Sequence, residues 1–202
     1  LLTMGTEYRK LNIPGEKELA GKGVSYCATC DGFFFKDKTV AVIGGGNSAV
    51  IESIYLKQIG VKDVYVIHRR DQLRAEKAYQ DQAISKKVNI VYNTHVEKIN
   101  GSTLVESIDT VDTKSKTKKP MKVDGVFISI GEEPQNALAK ELGVKLDENG
   151  YVIVDSQQRT NIKGVYAAGD ITGGLRQVIT ACAEGAIGAL ACTEVLGKQY
   201  PY

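Results

Sequence analysis

Short β-branched runs that alternate with helix-periodic segments predict an α/β fold built on a parallel sheet. Three observations carry that expectation. Lys38 to Ile43 is a β-branched run that enters Gly44-Gly45-Gly46 directly, as a buried strand entering a tight turn does. Asn47 to Ile59 follows with Val50, Ile54, Ile51 and Tyr55 at helical spacing, and Gly60 supplies a stop. Asp63 to Ile67 is then a second strand, which completes the start of a βαβ unit with the usual right-handed crossover.

The remaining elements follow in order. Leu1 to Gly5 reads as the end of a strand running into a glycine turn, and Asn12 to Glu16 as a connection broken by Pro14 and Gly15. Asp71 to Lys87 reads as a charged helix and Val88 to Tyr92 as a third strand. His95 to Asp112 predicts a β-meander, from the alternation of Val105, Ile108 and Val111. Thr113 to Lys119, with lysines at 114, 116, 118 and 119, reads as a solvated hairpin tip rather than a nucleic-acid patch. Gly125 to Gly131 is another buried strand, and Glu132 to Asn136 a linker. Tyr151 to Val154 and Val165 to Ala167 read as strands. Gln177 to Leu196, rich in Ala and Gly, reads as a helix packed tightly on a neighbour.

Composition narrows the class. The chain has 202 residues, 43% hydrophobic and 25% charged, as an ordinary globular protein has. Its net charge of +2 is too small to point to nucleic acid. No apolar run approaches the ~18 residues of a membrane span, and Leu1 to Thr6 lacks the pattern of a signal peptide. A start at Leu1 reads as a fragment. The four cysteines, Cys27, Cys30, Cys182 and Cys192, are too few for a disulfide framework, so a cytoplasmic setting is expected.

Gly44-Gly45-Gly46-Asn47-Ser48-Ala49 fits the G-x-G-x-x-A of a Rossmann-like dinucleotide loop, with the strand before it and the helix after it that the motif requires. Gly44 is expected to permit the turn, Gly46 to let the backbone approach a pyrophosphate, and Ala49 to let helix and strand pack closely. Helix N-termini favour anions through unpaired N–H groups and the helix dipole. An acidic residue about 20 positions past the loop usually bonds the ribose of NAD. This chain instead has His68-Arg69-Arg70 and Arg74, and guanidinium groups match the 2′-phosphate of NADPH.

Cys27-Ala28-Thr29-Cys30 spaces two thiols for a disulfide. Exchange needs one accessible thiolate and one resolving cysteine, and Asp31 adjoins the pair as a proton carrier. Structural zinc wants four ligands. Cys182 and Cys192, ten apart in a predicted helix, do not face alike, and His68 and His95 add no cluster. No metal is expected, and Cys182 and Cys192 are expected to pack as small apolar side chains.

The combination of Cys27-Ala28-Thr29-Cys30-Asp31-Gly32-Phe33-Phe34, the glycine loop, His68-Arg69-Arg70 with Arg74, and Ala168-Gly169-Asp170 with Arg176-Gln177 resembles the low-molecular-weight thioredoxin reductases, which are pyridine nucleotide–disulfide flavoproteins. The resemblance implies an NADPH domain over residues 12–133, inserted in an FAD domain of which residues 1–11 end the first half and residues 134–202 form the second. The family's opening strand and its FAD glycine loop have no counterpart here, so the chain looks like the C-terminal two-thirds of a reductase. Electrons are expected to pass from NADPH to FAD to Cys27–Cys30 to thioredoxin. Cys30 is expected to face the flavin, Cys27 to attack thioredoxin, and Asp31 to serve as acid and base. Gly169, Asp170, Arg176, Gln177 and the backbone at Val178 are expected to hold FAD; the family usually has Ala at the last position. Ile130 and Gly131 are further cofactor-binding candidates. The resemblance also implies a homodimer and a rotation of the NADPH domain about linkers near Pro14-Gly15 and Gly131 to Pro134.

Two other readings share part of this pattern. One is the flavoprotein subunit of an alkyl hydroperoxide reductase. The other is a non-catalytic NADPH-binding module in which the cysteines act as a redox switch.

Overall fold

In the computed structural model, which describes residues 1–198, the chain divides into two units. One comprises Leu1–Tyr8 and the chain from Glu132 onward; the other is Arg9–Gly131. In chain order the elements begin with β1 (Thr6–Tyr8), β2 (Val24–Ser25) and the single turn α1 (Ala28–Asp31). Then come β3 (Thr39–Gly44), α2 (Asn47–Gln58), β4 (Asp63–Ile67), α3 (Lys77–Ser85) and β5 (Asn89–Val91). Next are β6 (Thr94–Asn100), β7 (Ser107–Asp112), β8 (Lys118–Lys122) and β9 (Gly125–Ser129). The last are β10 (Glu132–Pro134), α4 (Ala137–Glu141) and α5 (Val178–Val195).

The Arg9–Gly131 unit is a five-stranded parallel sheet of order β2-β9-β3-β4-β5, with a separate antiparallel meander β6-β7-β8. The period of two in β3 builds two cores. Val40 and Val42 face one side with Val64, Val66 and Phe127, against Val50, Ile54 and Leu56 of α2. Ala41 and Ile43 face the other with Ile67, Val126 and Ile128, against Ile99 and Ile108 of the meander. A strand covered on both faces reads as one unbroken apolar run, which is why Val40 to Ile43 carries no alternation. Strand order reverses between β3 and β9, and in such sheets ligands collect at the C-terminal edge of that switch. Gly44 ends β3 there. Because β2 runs parallel to β9, the chain also leaves β2 at this edge, and it leads directly to Cys27.

In the other unit β1 pairs antiparallel with β10, so Glu132 to Pro134, expected as linker, is a strand. Its core is Leu2, Ala139, Val144, Val152, Ala167 and Ile171. The segments expected as strands at Tyr151 to Val154 and Val165 to Ala167 make only isolated bridges, at Val152, Tyr166 and Ala167. The last four residues of the expected 134–202 segment lie outside the described residues.

Two further expectations are corrected. The helix expected over residues 71–87 is confined to Lys77–Ser85. The amides of Arg74 and Ala75 donate instead to the carbonyl of Gly45, at 2.7 and 3.1 Å, which holds the preceding segment as a loop. α5 does not bury a small-residue face along its length. Only Gly188 and Ala191 are buried, while Val178 and Ile179 are exposed, as is Cys182, and Cys192 is half-buried. By length and composition alone α5 is also long and apolar enough to cross a membrane, although Glu184 and Glu194 keep it from being an unbroken apolar run. The apolarity is spread over Ala, Cys, Val and Ile rather than set in one run. Glu184 within the helix accepts hydrogen bonds from the Gly169 amide (2.8 Å) and the Thr172 hydroxyl (3.2 Å), which docks α5 on its own unit.

Candidate functional site

Cys27 and Cys30 are joined in a disulfide at the start of α1. The Cys27 Sγ accepts from the Cys30 amide at 3.2 Å and lies 3.3 Å from the Thr29 hydroxyl. Cys30 is exposed and Cys27 half-buried. Asp31, the last residue of α1, accepts a 2.6 Å hydrogen bond from the Ser25 hydroxyl, and the Ser25 oxygen accepts from the Cys27 amide at 3.1 Å. Ser25 itself is buried at the end of β2. Beside this group a cleft of about 260 Å³ is lined by Lys22, Ser25, Asp31, Phe34, Lys38 and Leu104, among others. Phe33 and Phe34, next along the chain, are 74% and 72% exposed.

Behind the disulfide, Tyr26 donates to Glu16 at 2.8 Å. The buried Glu16 carboxylate also accepts from the amides of Leu11, Asn12 and Ile13, so one side chain ties residues 11–13 to the redox loop. Burial, then the Glu16 hydrogen bond and charge, push the Tyr26 phenol up to about 12. Neither Ser25 nor the Glu16–Tyr26 pair was singled out from the sequence. Ser25 stands two residues before Cys27, but a serine there has no spacing signature of its own.

The glycine loop is required for space rather than for unusual dihedrals, since none of its three glycines has a left-handed φ. A Cβ on Gly44 would strike the Ser129 carbonyl and lie 2.7 Å from the Ala49 Cβ; one on Gly45 would strike the His68 ring. The demand on Gly44 is therefore for close packing of β3 on β9 and α2, not for the turn. A Cβ on Gly46 would meet nothing within 4 Å, so the space over the N-terminus of α2 is open. At that end Ser48 is exposed. Asn47 exchanges two 2.8 Å hydrogen bonds with Glu76, which fastens α2 to the start of α3.

His68 is buried, with Nδ1 2.9 Å from the Gly44 carbonyl. Arg69, Arg70 and Arg74 are exposed, and no ion pair holds any of them among the described residues. The glycine loop and the arginine loop are bonded through Gly45, so open helix amides and three guanidinium groups belong to one loop cluster. That donor set suits a dinucleotide with an additional phosphate. Ile130 is half-buried just past β9, and Gly131 has a φ of +106° that favours glycine.

In the other unit, Gly169 has a φ of +81° and leads into Asp170. Arg176 donates to the Tyr151 hydroxyl at 3.0 Å and pairs with Glu132 at 3.5 Å. Gln177 caps α5, where the Thr180 hydroxyl accepts from the Gln177 amide at 3.2 Å. Leu175, Val178 and Ile179 are left uncovered at that helix N-terminus. Helix amides, the acidic acceptor Asp170 and an exposed apolar surface form a set that fits a flavin nucleotide.

A parallel α/β sheet that carries a dinucleotide loop and a disulfide at one edge defines a nucleotide-linked disulfide oxidoreductase. The chain belongs to the pyridine nucleotide-disulphide oxidoreductase family, whose sequence profile matches residues 1–185. It is similar to the thioredoxin reductase of Listeria innocua, with 45% identity over 190 residues, and to that of Bacillus subtilis, with 44% over 194. Those matches cover 93% and 94% of this chain but only 59% and 60% of the relatives. Among solved structures, the thioredoxin reductase of Streptococcus pyogenes is similar with a TM-score of 0.89 and 41% identity, covering 96% of this chain and 64% of that one. The chain thus spans about three fifths of the length of these relatives.

Proposed function

We propose that this chain carries the NADPH site and the redox disulfide of a thioredoxin-disulfide reductase. The observation that carries the reading is the pairing of a Cys27–Cys30 disulfide, followed in the chain by Asp31, with an open glycine loop and three exposed arginines in one unit. The α2 N-terminus and Gly46 receive the pyrophosphate. Arg69, Arg70 and Arg74 receive the 2′-phosphate, and Ile130 with Gly131 borders the nucleotide. Gly169, Asp170, Arg176, Gln177 and the Val178 amide hold FAD. A bound flavin supplies the two-electron relay between nicotinamide and disulfide.

The dithiol then reduces thioredoxin. Cys27 is the thiol that attacks the protein disulfide: it stands at the N-terminus of α1 and its sulfur accepts from the Cys30 amide, which favours a thiolate there. Cys30, the thiol expected to face the flavin, is the resolving thiol. Asp31 moves the proton. The exposed Phe33 and Phe34 and the adjoining cleft give an apolar partner a surface beside Cys30. A cytoplasmic homodimer that maintains cell redox balance accords with this reading.

Calorimetric titration with NADPH and NADH tests the nucleotide part. NADPH is expected to bind at least tenfold more tightly, since charge-assisted hydrogen bonds to the extra phosphate each contribute about 1.5–3 kcal/mol. Equal affinity would overturn the assignment of the arginines.

A further inference from the structure

We propose that Ser25 is a positioning residue that holds the Asp31 carboxylate for proton transfer at the Cys27–Cys30 pair. The inference rests on the redox role assigned to that pair and names a residue which the motif does not include. Ser25 is 6% exposed, so its hydroxyl has little water to turn to. Its shortest contact is the 2.6 Å donation to Asp31 Oδ2, while the Cys27 carbonyl lies at 3.4 Å. A hydroxyl has one proton, and the shorter, charge-assisted bond takes it. The same oxygen accepts from the Cys27 amide, so one side chain fixes both the carboxylate and the backbone of the first cysteine. β2 holds Ser25 in turn, through its pairing with β9. The carboxylate that must give and take a proton is thereby anchored to the sheet rather than left to rotate about a one-turn helix.

The chemistry balances on these groups. The Cys27 thiolate attacks one sulfur of a disulfide, whose S–S bond breaks and releases a thiolate. Cys30 gives its proton to Asp31 and attacks the Cys27 sulfur, whose bond to the substrate sulfur breaks. The Cys27–Cys30 bond forms, and the second thiolate leaves and takes that proton. The dithiol loses two electrons and the substrate disulfide gains them.

The test uses the reduced chain with oxidised glutathione, a small disulfide that makes no demand on protein docking. Closure of Cys27–Cys30 is read by rapid alkylation and peptide mass, which separates it from reactions at Cys182 and Cys192. Ser25→Ala is expected to slow closure about tenfold, a fraction of what a positioned acid–base group contributes. Ser25→Thr, which keeps the hydroxyl, should restore the rate to within about twofold. In an Asp31→Asn background, Ser25→Ala should add less than about twofold, because the two act as a unit. NADPH affinity, read at the glycine loop, checks that each variant is folded. A parental rate in Ser25→Ala would overturn the proposal, as would an equal slowing with and without Asp31. A chain that closes with glutathione but ignores thioredoxin would instead overturn the thioredoxin assignment and leave the Ser25 result standing.

Discussion

Cys30 and Cys27 have different surroundings. Cys30 is exposed, and Cys27 is half-buried with its sulfur close to the Cys30 amide and the Thr29 hydroxyl. With Cys27 as the attacking thiol, the Cys30→Ser variant should accumulate a stable mixed disulfide with thioredoxin through Cys27, visible by mass. The Cys27→Ser variant should accumulate little; the reverse pattern would make Cys30 the attacking thiol. Tyr26 gives a second prediction. Its pKa is raised, so the Glu16 hydrogen bond stabilises the fold fully below pH 10 and is lost as pH rises to about 12. Spectrophotometric titration should show a phenol that ionises only near pH 12, and Tyr26→Phe should remove that step. At this scale the sequence made the cysteines and Asp31 legible, because their chemistry is tied to adjacency along the chain. Ser25 and Glu16 were hidden because their roles depend on partners that β2 and the 11–16 turn bring into reach.

The elements around the glycine loop were nearly all legible, since a strand, a glycine turn and a helix are local patterns. The boundary of α3 was not. Residues 71–76 have helix-compatible composition, but the Gly45 carbonyl captures two of their amides, and that competition is tertiary. The consequence is functional, because a loop rather than a helix presents Arg74 with Arg69 and Arg70. Arg70→Ala should weaken NADPH by about 1.5–3 kcal/mol, roughly tenfold or more, and leave NADH nearly unchanged. Calorimetry on the two nucleotides checks this; a parallel loss for both would mean that the loop, not the phosphate contact, was damaged. Gly45→Ala should abolish binding of both, because its Cβ strikes the buried His68 ring.

At the scale of the whole molecule, the family resemblance implied the two units, and the α/β class follows from sequence patterns that run through the chain. The exposed state of α5 does not. Its Ala and Gly residues promised a close neighbour, yet Val178, Ile179 and Leu196 are 82%, 77% and 72% exposed. Small residues permit close packing on any side, and only the folded chain shows which side is used. The Arg9–Gly131 unit, with a core on each face of its sheet, should outlast the unit that carries α5. Calorimetric melting should show two transitions, with NADPH raising only the higher one. A single transition raised as a whole would contradict this.

The central claim is that the Cys27–Cys30 pair passes two electrons to thioredoxin. The most direct measurement mixes the reduced chain with oxidised thioredoxin under anaerobic conditions and follows both proteins by alkylation and mass. The account predicts that each Cys27–Cys30 disulfide formed is matched by one thioredoxin molecule carrying two new thiols. Thioredoxin that stays oxidised, while the same chain closes its disulfide with oxidised glutathione, would contradict it.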